Sequence, residues 1–245
     1  MFKELNNQHS LIRQVLSNQL TLKLFSLFLA ADLIFMILHL IHSYTTLLPN
    51  HDFSLEQDRG HSEILQYIKE YWIALLLGSL ALRMRSLLYL GWSLLFTYIL
   101  LDDAVEIHER VGRFIVRELG LTDAFRLRAQ DFGELAITIS VGLFFLVFLG
   151  VAYRLSNSTG RRVSRYLIVM LAAFAFFGVV VDIGHVAFGN PSIDPLLILL
   201  EDGGELVLMS AIVSAVFSLV EYLRPSIHLP SHSVDLSAEK ALVEK

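Results

Sequence analysis

Six stretches of mainly apolar residues follow one another along the chain, separated by short polar segments. They cover residues 22–42, 64–82, 86–105, 132–153, 166–188 and 195–222. A run of about 18 or more apolar residues predicts a transmembrane helix, because about 20 residues at about 1.5 Å each cross the hydrocarbon core. The pattern therefore predicts an all-α integral membrane bundle of about six transmembrane helices over residues 22–222, with cytoplasmic segments at 1–21 and 223–245.

The boundary between the second and third runs is the least distinct, because only Arg83, Met84 and Arg85 separate them. One long kinked helix would explain the pattern, but it would be far longer than a bilayer requires. We therefore expect a helical hairpin. The first run is also too long for the apolar part of a signal peptide, so we expect a retained helix there.

Composition agrees with a membrane protein and excludes several other classes. The chain has 245 residues, 55% of them hydrophobic, and a mean hydropathy of +0.60. Its net charge of −5 gives no basic surface for nucleic acid. It has no cysteine, which excludes disulfides, cysteine nucleophiles and cysteine-based zinc sites.

The distribution of positive charge predicts the orientation of the bundle. Arginines occupy the short segments at 83–85 and 154–165, whereas the segment at 189–195 has neither Lys nor Arg. Because basic residues favour the cytoplasmic side, both termini are predicted to be cytoplasmic, and a bacterial inner membrane is the expected location. The segment 110–130 is the exception. It is rich in both arginine and acid, and its apolar stripe predicts a helix at the membrane surface.

Ionisable residues inside the apolar runs fall at one level of this bundle. The first, third and fifth helices end on the side where the fourth and sixth begin. Alternation alone therefore brings together acids and histidines from five helices in the outer half of the membrane. Asp182 and Glu201 each lie about six residues from a helix end, or roughly 9 Å below the interface. Charged groups at such a depth normally face a bundle interior or a wet cavity.

A short spacing recurs among these residues. Asp-x-Gly-Glu or Asp-x-Gly-His occurs at 131–134, 182–185 and 202–205, and Asp-x-x-Glu occurs at 103–106. Positions i and i+3 share one face of a helix, and glycine allows a neighbouring helix or a ligand to approach closely. Each pattern alone is weak, but four such pairs on four helices at one level indicate a polar site.

Structural roles compete with site roles at several of these positions. Asp131 and Glu134 have the placement of first-turn acids that complement a helix dipole. Glu106 and Glu109 have helical salt-bridge spacing to the arginines four residues later. His42 is expected to be interfacial, and His39 is equally consistent with a structural or a site role. On a straight helix, His108 would point away from Asp102.

Several carboxylates and one or two imidazoles in a low dielectric predict a bound divalent metal ion, because unpaired acids there must be protonated or neutralised by a cation. The oxygen-rich set suits Mn, Fe, Mg or Ca, or Zn with fewer ligands. Asp182, His185, Glu201 and Glu205 form the expected core. The further candidate ligands are Asp102, Asp103, Glu106, His108, Glu109, Glu134 and His39. The match to dinuclear carboxylate sites is partial, since the chain has one Asp-x-x-His pair and no Glu-x-x-His pair.

Two other functions remain open alongside a metal-binding protein that is an enzyme or a binder. One is a proton or divalent-cation transporter, although no inverted repeat is evident. The other is an assembly partner whose acids pair with another membrane subunit or a second copy of the chain. The sequence lacks the HEXXH motif of membrane metalloproteases and the histidine boxes of membrane desaturases.

Two segments carry a resemblance to known sequences. "LLDDAVEIHERVG" at 101–113 and "LEDGGELVLMS" at 200–210 resemble a group of bacterial multi-pass membrane proteins that have no assigned activity. Their marks are an acid pair followed by His-Glu at a helix end, and a late Glu/Asp-x-x-Glu helix. The resemblance implies site roles for Asp102, Asp103, His108 and Glu109, and also for Glu201 and Glu205.

Overall fold

The computed structural model describes residues 15, 17–125, 127–188, 190 and 193–223, excluding the side chain of Phe188. Within these residues the chain is helical and has no β-strand. The helices are α1 (Gln19–Tyr44), α2 (His61–Met84), α3 (Leu87–Val105), α4 (Ile107–Leu119), α5 (Ala129–Leu155), α6 (Ser158–Ala175), α7 (Asp182–Phe188) and α8 (Asp194–Tyr222). A π-helical segment, Phe176–Val181, joins α6 to α7 without a break.

The six predicted runs correspond to α1, α2, α3, α5, the continuous α6–α7 unit and α8. Five of these six are long and apolar enough to cross a membrane, and α2 is the exception. It carries Glu63, Lys69 and Glu70 within its first half, which lowers its mean hydropathy. The predicted cytoplasmic segments, 1–21 and 223–245, lie largely outside the described residues.

The hairpin predicted between the second and third runs is confirmed. Arg85 adopts a left-handed conformation and ends α2, and α3 begins two residues later. Ser93 donates a hydrogen bond to the carbonyl of Ala74, and Tyr67 donates one to the carbonyl of Asp103. These pairings run in opposite directions along the two helices, so α2 and α3 are antiparallel neighbours.

The same reasoning orders the other helices. His39 bonds to Pro195, Asp32 to Ser210 and Thr21 to Ser218, so α1 and α8 are antiparallel. Gln66 bonds to Glu205, and Arg83 bonds to carbonyls near the end of α8, so α2 and α8 are parallel. Helices α1, α3 and α7 therefore end where α2, α5 and α8 begin. We call this the site end of the bundle.

The main hydrophobic core lies away from the site end. Trp92 and Phe96 of α3 are fully buried against α2 and α8 residues such as Leu77 and Met209. Trp92 donates a 2.9 Å hydrogen bond to Ser164, which satisfies its buried indole nitrogen. This core holds the helices at fixed distances and so positions the polar residues at the other end.

The helix predicted in segment 110–130 is present as α4, and it leaves much of its apolar side exposed at Phe114 and Leu119. It packs against the start of α5 through two glycines. A Cβ atom on Gly133 would collide with the backbone of Gly112, so both positions require glycine for this close approach. The contact fixes the beginning of α5, and with it Glu134, at the site end.

Candidate carboxylate site

A buried ion pair marks the inner limit of the site. Nζ of Lys69 lies 2.5 Å from Oδ1 of Asp32 and also donates to the carbonyl of Leu206. Ser210 donates to the other oxygen of Asp32 at 2.5 Å. Both charged side chains are completely buried. Asp32, the acid in the middle of α1, is therefore neutralised within the protein itself.

The next residue, Glu70, has a different environment. It is also completely buried, yet neither of its oxygens accepts a hydrogen bond from any donor in the described part of the chain. The carboxyl group of Asp103 lies within hydrogen-bonding reach of it, and Glu205 is the next nearest acid. Two carboxylates are both acceptors, so this contact requires a shared proton or a bridging cation.

We call Glu70, Asp103, Asp202 and Glu205 the carboxylate cluster. The charges of Asp202 and Asp103 act on Glu205. Among the ion pairs of the described residues, none reaches any of these four side chains. Lys69, the nearest cation along the sequence, is held by Asp32. Within the described part of the chain, the cluster therefore has four acids and no ion pair, and the charges of Lys69 and His108 act on Glu70 and Asp103 only from a distance.

A cavity of about 150 Å³ lies beside the cluster, and we call it the polar cavity. Asp103, Asp202 and Glu205 line it, together with Ser62 and Gln66 from the first turns of α2. Ser62 is 4% exposed and Gln66 is 6% exposed. Ser62 Oγ and Gln66 Oε1 have no hydrogen-bond partner in the described residues, whereas Gln66 Nε2 donates to Glu205 at 3.3 Å. Two unsatisfied buried oxygens thus accompany the carboxylates.

The loop before α2 closes the polar cavity from outside. Glu56, Gln57 and Asp58 line it from this loop. Burial raises the pKa of Asp58 above its ordinary value, and the charges of Glu109 and Glu106 act in the same direction. The loop therefore adds acid to the cavity and contributes no cation to its lining.

Glycines and the π-helical segment position Glu205. A Cβ atom on Gly178 would collide with the carboxyl group of Glu205, and one on Gly204 would lie 2.5 Å from the ring of Phe177. Gly203 is similarly packed against Met36 on α1. The predicted close approach at the Asp-x-Gly-Glu pattern is thus seen at 202–205 and at Gly133. At Gly184 no atom lies within 4 Å of an added Cβ. Single π-helical turns often occur at functional sites.

A second cavity of about 360 Å³ lies between α3, α5, α6–α7 and α8, and we call it the apolar cavity. Asp103 and Glu205 line both cavities, so the carboxylate cluster forms the wall between them. Asp182, Glu134 and Asp102 also line the apolar cavity at this end. Two of the predicted core ligands, Asp182 and Glu205, therefore share one cavity.

The other two predicted core ligands pair with each other. Nδ1 of His185 lies 2.9 Å from Oε2 of Glu201, and Nε2 lies 3.7 Å from Asp194. Both His185 and Glu201 are half-buried. The pair lies beside Asp182, whose charge interacts with both residues. Asp182, His185 and Glu201 are thus gathered as expected, but as a rim to the carboxylate cluster.

Asp102 and His108 meet because the helix is broken between them. Glu106 adopts a left-handed conformation and separates α3 from α4. Asp102 accepts a 2.8 Å hydrogen bond from the backbone of His108, and its other oxygen lies 3.1 Å from Nδ1 of that ring. The expectation that His108 points away is therefore wrong, since it assumed a straight helix. The contact with Asp102 raises the pKa of His108 above its ordinary value.

The predicted helical salt bridges at the surface are present. Arg110 lies 3.8 Å from Glu106, which also binds Arg59 at 2.7 Å, and Arg113 lies 3.0 Å from Glu109. Neither Glu106 nor Glu109 lines either of the two cavities. Their partners neutralise them, so they contribute less to a cation site than the cluster does.

The first turn of α5 separates two acids with different roles. Asp131 accepts from the backbone of Arg128 at 2.7 Å and forms an ion pair with its guanidinium, as a helix-capping acid does. Glu134 accepts a 2.6 Å hydrogen bond from Gln130 and lines the apolar cavity. Asp131 lines the same cavity, but its charge is paired with Arg128. Glu134 has no such pairing among the described residues and therefore remains a site candidate.

His39 has a structural role. Its ring is 1% exposed. Nε2 lies 3.1 Å from the carbonyl of Pro195, and Nδ1 accepts from the backbone of Leu55 at 3.2 Å. Both ring nitrogens are therefore engaged in joining α1, α8 and the loop before α2. They are not directed at the carboxylate cluster.

Sequence reasoning missed the contribution of α2. Ser62, Gln66, Lys69 and Glu70 all lie in the first half of this helix. A helix that begins where the fourth and sixth predicted helices begin must place its early residues at the same level. The signal was therefore present in the alternation of the helices, and it was not applied to the second run.

The cluster has the oxygen ligands of a hard-cation site, but they are not arranged as a complete coordination shell. Within the described residues, no three His, Cys, Asp or Glu side chains are already gathered as a metal-binding group. Carboxylate, amide and hydroxyl oxygens are the ligands that Mg²⁺, Ca²⁺ and Mn²⁺ prefer. Asp103 and Glu205 supply such oxygens at the border of both cavities.

Comparison with known proteins identifies the family. The chain belongs to the family described as Domain of unknown function (DUF8692), which matches residues 60–220. This range runs from the start of α2 to the last turn of α8, includes the whole carboxylate cluster and leaves out α1. No curated protein and no solved structure matches the chain.

Proposed function

We propose that this protein is an integral membrane protein that binds a divalent metal ion at the carboxylate cluster. The observation that carries the proposal is Glu70, a completely buried acid that faces Asp103 and has neither a hydrogen-bond donor nor an ion-pair partner among the described residues. An isolated ionised carboxylate in a low dielectric is costly by many kcal/mol. A divalent cation between these acids removes that cost and makes the buried position stable.

The neutral oxygens favour a metal over a shared proton as the main occupant. A proton between Glu70 and Asp103 would not engage Ser62 Oγ and Gln66 Oε1, which have no protein partner among the described residues. A cation in the polar cavity supplies a partner for both oxygens as well as for Asp103, Asp202 and Glu205, which all line it.

In this proposal the site lies in the outer half of the membrane, in a bacterial inner membrane with both termini cytoplasmic. Asp182, His185, Glu201 and Glu134 surround the cluster and supply groups that can accept or donate a proton beside the metal. A bound metal there can activate water or, if it is redox-active, handle oxygen. A metal-dependent membrane enzyme is therefore our first reading of the site.

Transport of the cation is the second reading, and one observation favours it. The two cavities meet at Asp103 and Glu205, so a cation held there has open space on two sides. The Asp32–Lys69 ion pair contacts Leu206 and Ser210, which lie beyond Glu205 along α8, and it would form the inner end of such a path. Flux of Mn²⁺ into liposomes that contain the purified protein separates transport from binding.

A Mn²⁺ titration of the chelator-treated full chain tests the proposal. Free Mn²⁺ measured by electron paramagnetic resonance should show saturable, stoichiometric binding to the wild type. The Asp103→Asn, Glu205→Gln double variant should lose that binding, because two shared ligands are gone.

The matched control is a Glu109→Gln, Glu118→Gln double variant, which removes the same charge from α4. Glu109 is already paired with Arg113, so Mn²⁺ binding should be unchanged. Non-saturable binding by the wild type, or equal loss in both double variants, would sink the proposal, because only bulk charge would then be involved.

A further inference from the structure

The apolar cavity is lined by one face of each of three helices. From α5 it takes residues 131, 134, 135, 138, 141 and 142, and from the α6–α7 unit 171, 174, 175, 178, 179, 182 and 183. From α3 it takes 95, 98, 99, 102 and 103. Spacings of three and four place each set on a single helix face. At about 1.5 Å per residue the cavity extends roughly 12–18 Å along the bundle.

The lining changes character along that length. At the site end it consists of six acids, with the imidazole of His108; the acids are Asp102, Asp103, Asp131, Glu134, Asp182 and Glu205. Away from the site end it consists of apolar side chains such as Leu95, Val141, Leu171 and Phe174. No Lys or Arg of the described residues lines it, although Asp131 is paired with Arg128. One end is therefore acidic and the other is hydrocarbon-like.

The cavity is open, and its weakest wall lies between α5 and α6. Helix α5 packs against α3 and α4 but has little contact with α6. On the cavity face of α5, Gly142 has no atom within 4 Å of the position where a Cβ would be. In a bilayer this wall faces lipid, so a molecule in the membrane can enter from the side.

We infer that the apolar cavity binds the chain of an amphiphile whose positively charged amine head group lies against Asp182 and Glu134. The elongated apolar part of the cavity fits a single hydrocarbon chain, and the acids at its site end favour a positively charged head group. Neither Asp182 nor Glu134 has an ion-pair partner among the described residues, and Glu134 accepts from the neutral Gln130. The charge of Arg128 acts on both acids, but its guanidinium is paired with Asp131. Both therefore remain available when a metal occupies the polar-cavity side of the cluster.

This inference names the substrate class of the proposed site. The assignment of the bound amphiphile as a substrate rests on the proposed function. The binding is tested separately, by titrating dodecylamine into the purified full chain and counting bound amine by native mass spectrometry. Dodecanol and dodecyl phosphate serve as neutral and anionic comparators. Wild type should bind one amine saturably, dodecanol more weakly, and dodecyl phosphate least.

Gly142→Phe fills the cavity and should weaken amine binding roughly tenfold or more. A bound chain that can no longer bury about two of its methylene groups loses affinity by that factor. Gly150→Phe is the matched control. Gly150 lies on the same helix, also has open space at its Cβ position, and does not line the cavity. Gly142→Leu, a smaller change, should give an intermediate loss.

Four outcomes decide the matter. Equal binding in the Gly142→Phe and Gly150→Phe variants would overturn the inference, as would tighter binding of the phosphate than of the amine. Loss of amine binding in Gly142→Phe with Mn²⁺ binding retained supports it. Amine binding without any Mn²⁺ binding would leave the amphiphile site intact and overturn only the metal proposal.

Discussion

Lys69 and Glu70 are neighbours in the sequence and are both completely buried, yet their surroundings are opposite. Lys69 binds Asp32, which also accepts from Ser210, so every charge there has a partner. Glu70 faces Asp103 and has no donor among the described residues. The protein can therefore neutralise a buried acid by itself, and at the carboxylate cluster it does not. We take the first arrangement as structural and the second as functional.

The strongest test of this comparison removes the cation from the complete pair. Lys69→Met leaves Asp32 as an unpaired buried charge, and we expect a loss of about 3–5 kcal/mol in the free energy of unfolding. Denaturation of the purified variant in detergent measures it. The double variant Asp32→Leu, Lys69→Met should recover most of the loss, since it removes both charges. If the single variant is as stable as the wild type, the pair is not structural.

Metal should stabilise the protein through the cluster, and this effect should be the next largest. At a free Mn²⁺ concentration of about 100 times Kd, one bound ion raises the free energy of unfolding by about 2.7 kcal/mol. Glu205→Gln should abolish that increase. Without metal, the same variant should be at least as stable as the wild type, because it relieves repulsion among the acids. A variant that is clearly less stable without metal would contradict the account.

A smaller effect is expected at the Asp102–His108 contact. The raised pKa of His108 means that the folded protein binds this proton more tightly than the unfolded chain. Its stabilisation is therefore complete below the ordinary pKa of about 6.5 and is lost as pH rises through the raised value. Since the ring is partly exposed, we expect about 0.5 kcal/mol. The difference between wild type and His108→Gln, measured from pH 5 to 9, should shrink with rising pH, and a constant difference would refute it.

The smallest effect is expected at the surface. The Glu109–Arg113 pair is half-exposed, and helical pairs of this kind contribute about 0.3–0.5 kcal/mol. Arg113→Gln should therefore reduce the free energy of unfolding by no more than that, and the reduction should disappear at high salt. A loss comparable to that of Lys69→Met would erase the distinction between surface and buried pairs.

The apolar pattern was sufficient to predict the helices, because bilayer-length runs have few other solutions. The level of the polar residues also followed from helix alternation, which correctly placed Asp182 and Glu205 on one cavity. Helix alternation does not predict how each helix is rotated about its own axis. It therefore could not show which acids form the carboxylate cluster and which form ion pairs around it. Rotation depends on packing, here on contacts such as Gly178 with Glu205 and Gly112 with Gly133.

Two errors of prediction have specific physical causes. His108 was misplaced because Glu106, a residue with no tendency to break a helix in its sequence context, adopts a left-handed conformation. Glu70 was missed because helix alternation was not applied to the polar residues of the second run. These residues are buried by the helices on either side. His39 was correctly identified as ambiguous, and only its contacts with Leu55 and Pro195 show its structural role.

The most direct test of the central claim is elemental analysis of the full chain purified without chelator. Divalent metal should be present in a stoichiometric amount in the wild type and in the Arg113→Gln variant, and absent from the Asp103→Asn, Glu205→Gln variant of equal folded yield. A wild-type protein that carries no metal, even after incubation with Mn, Fe, Mg, Ca or Zn, would contradict the claim that a cation completes the carboxylate cluster.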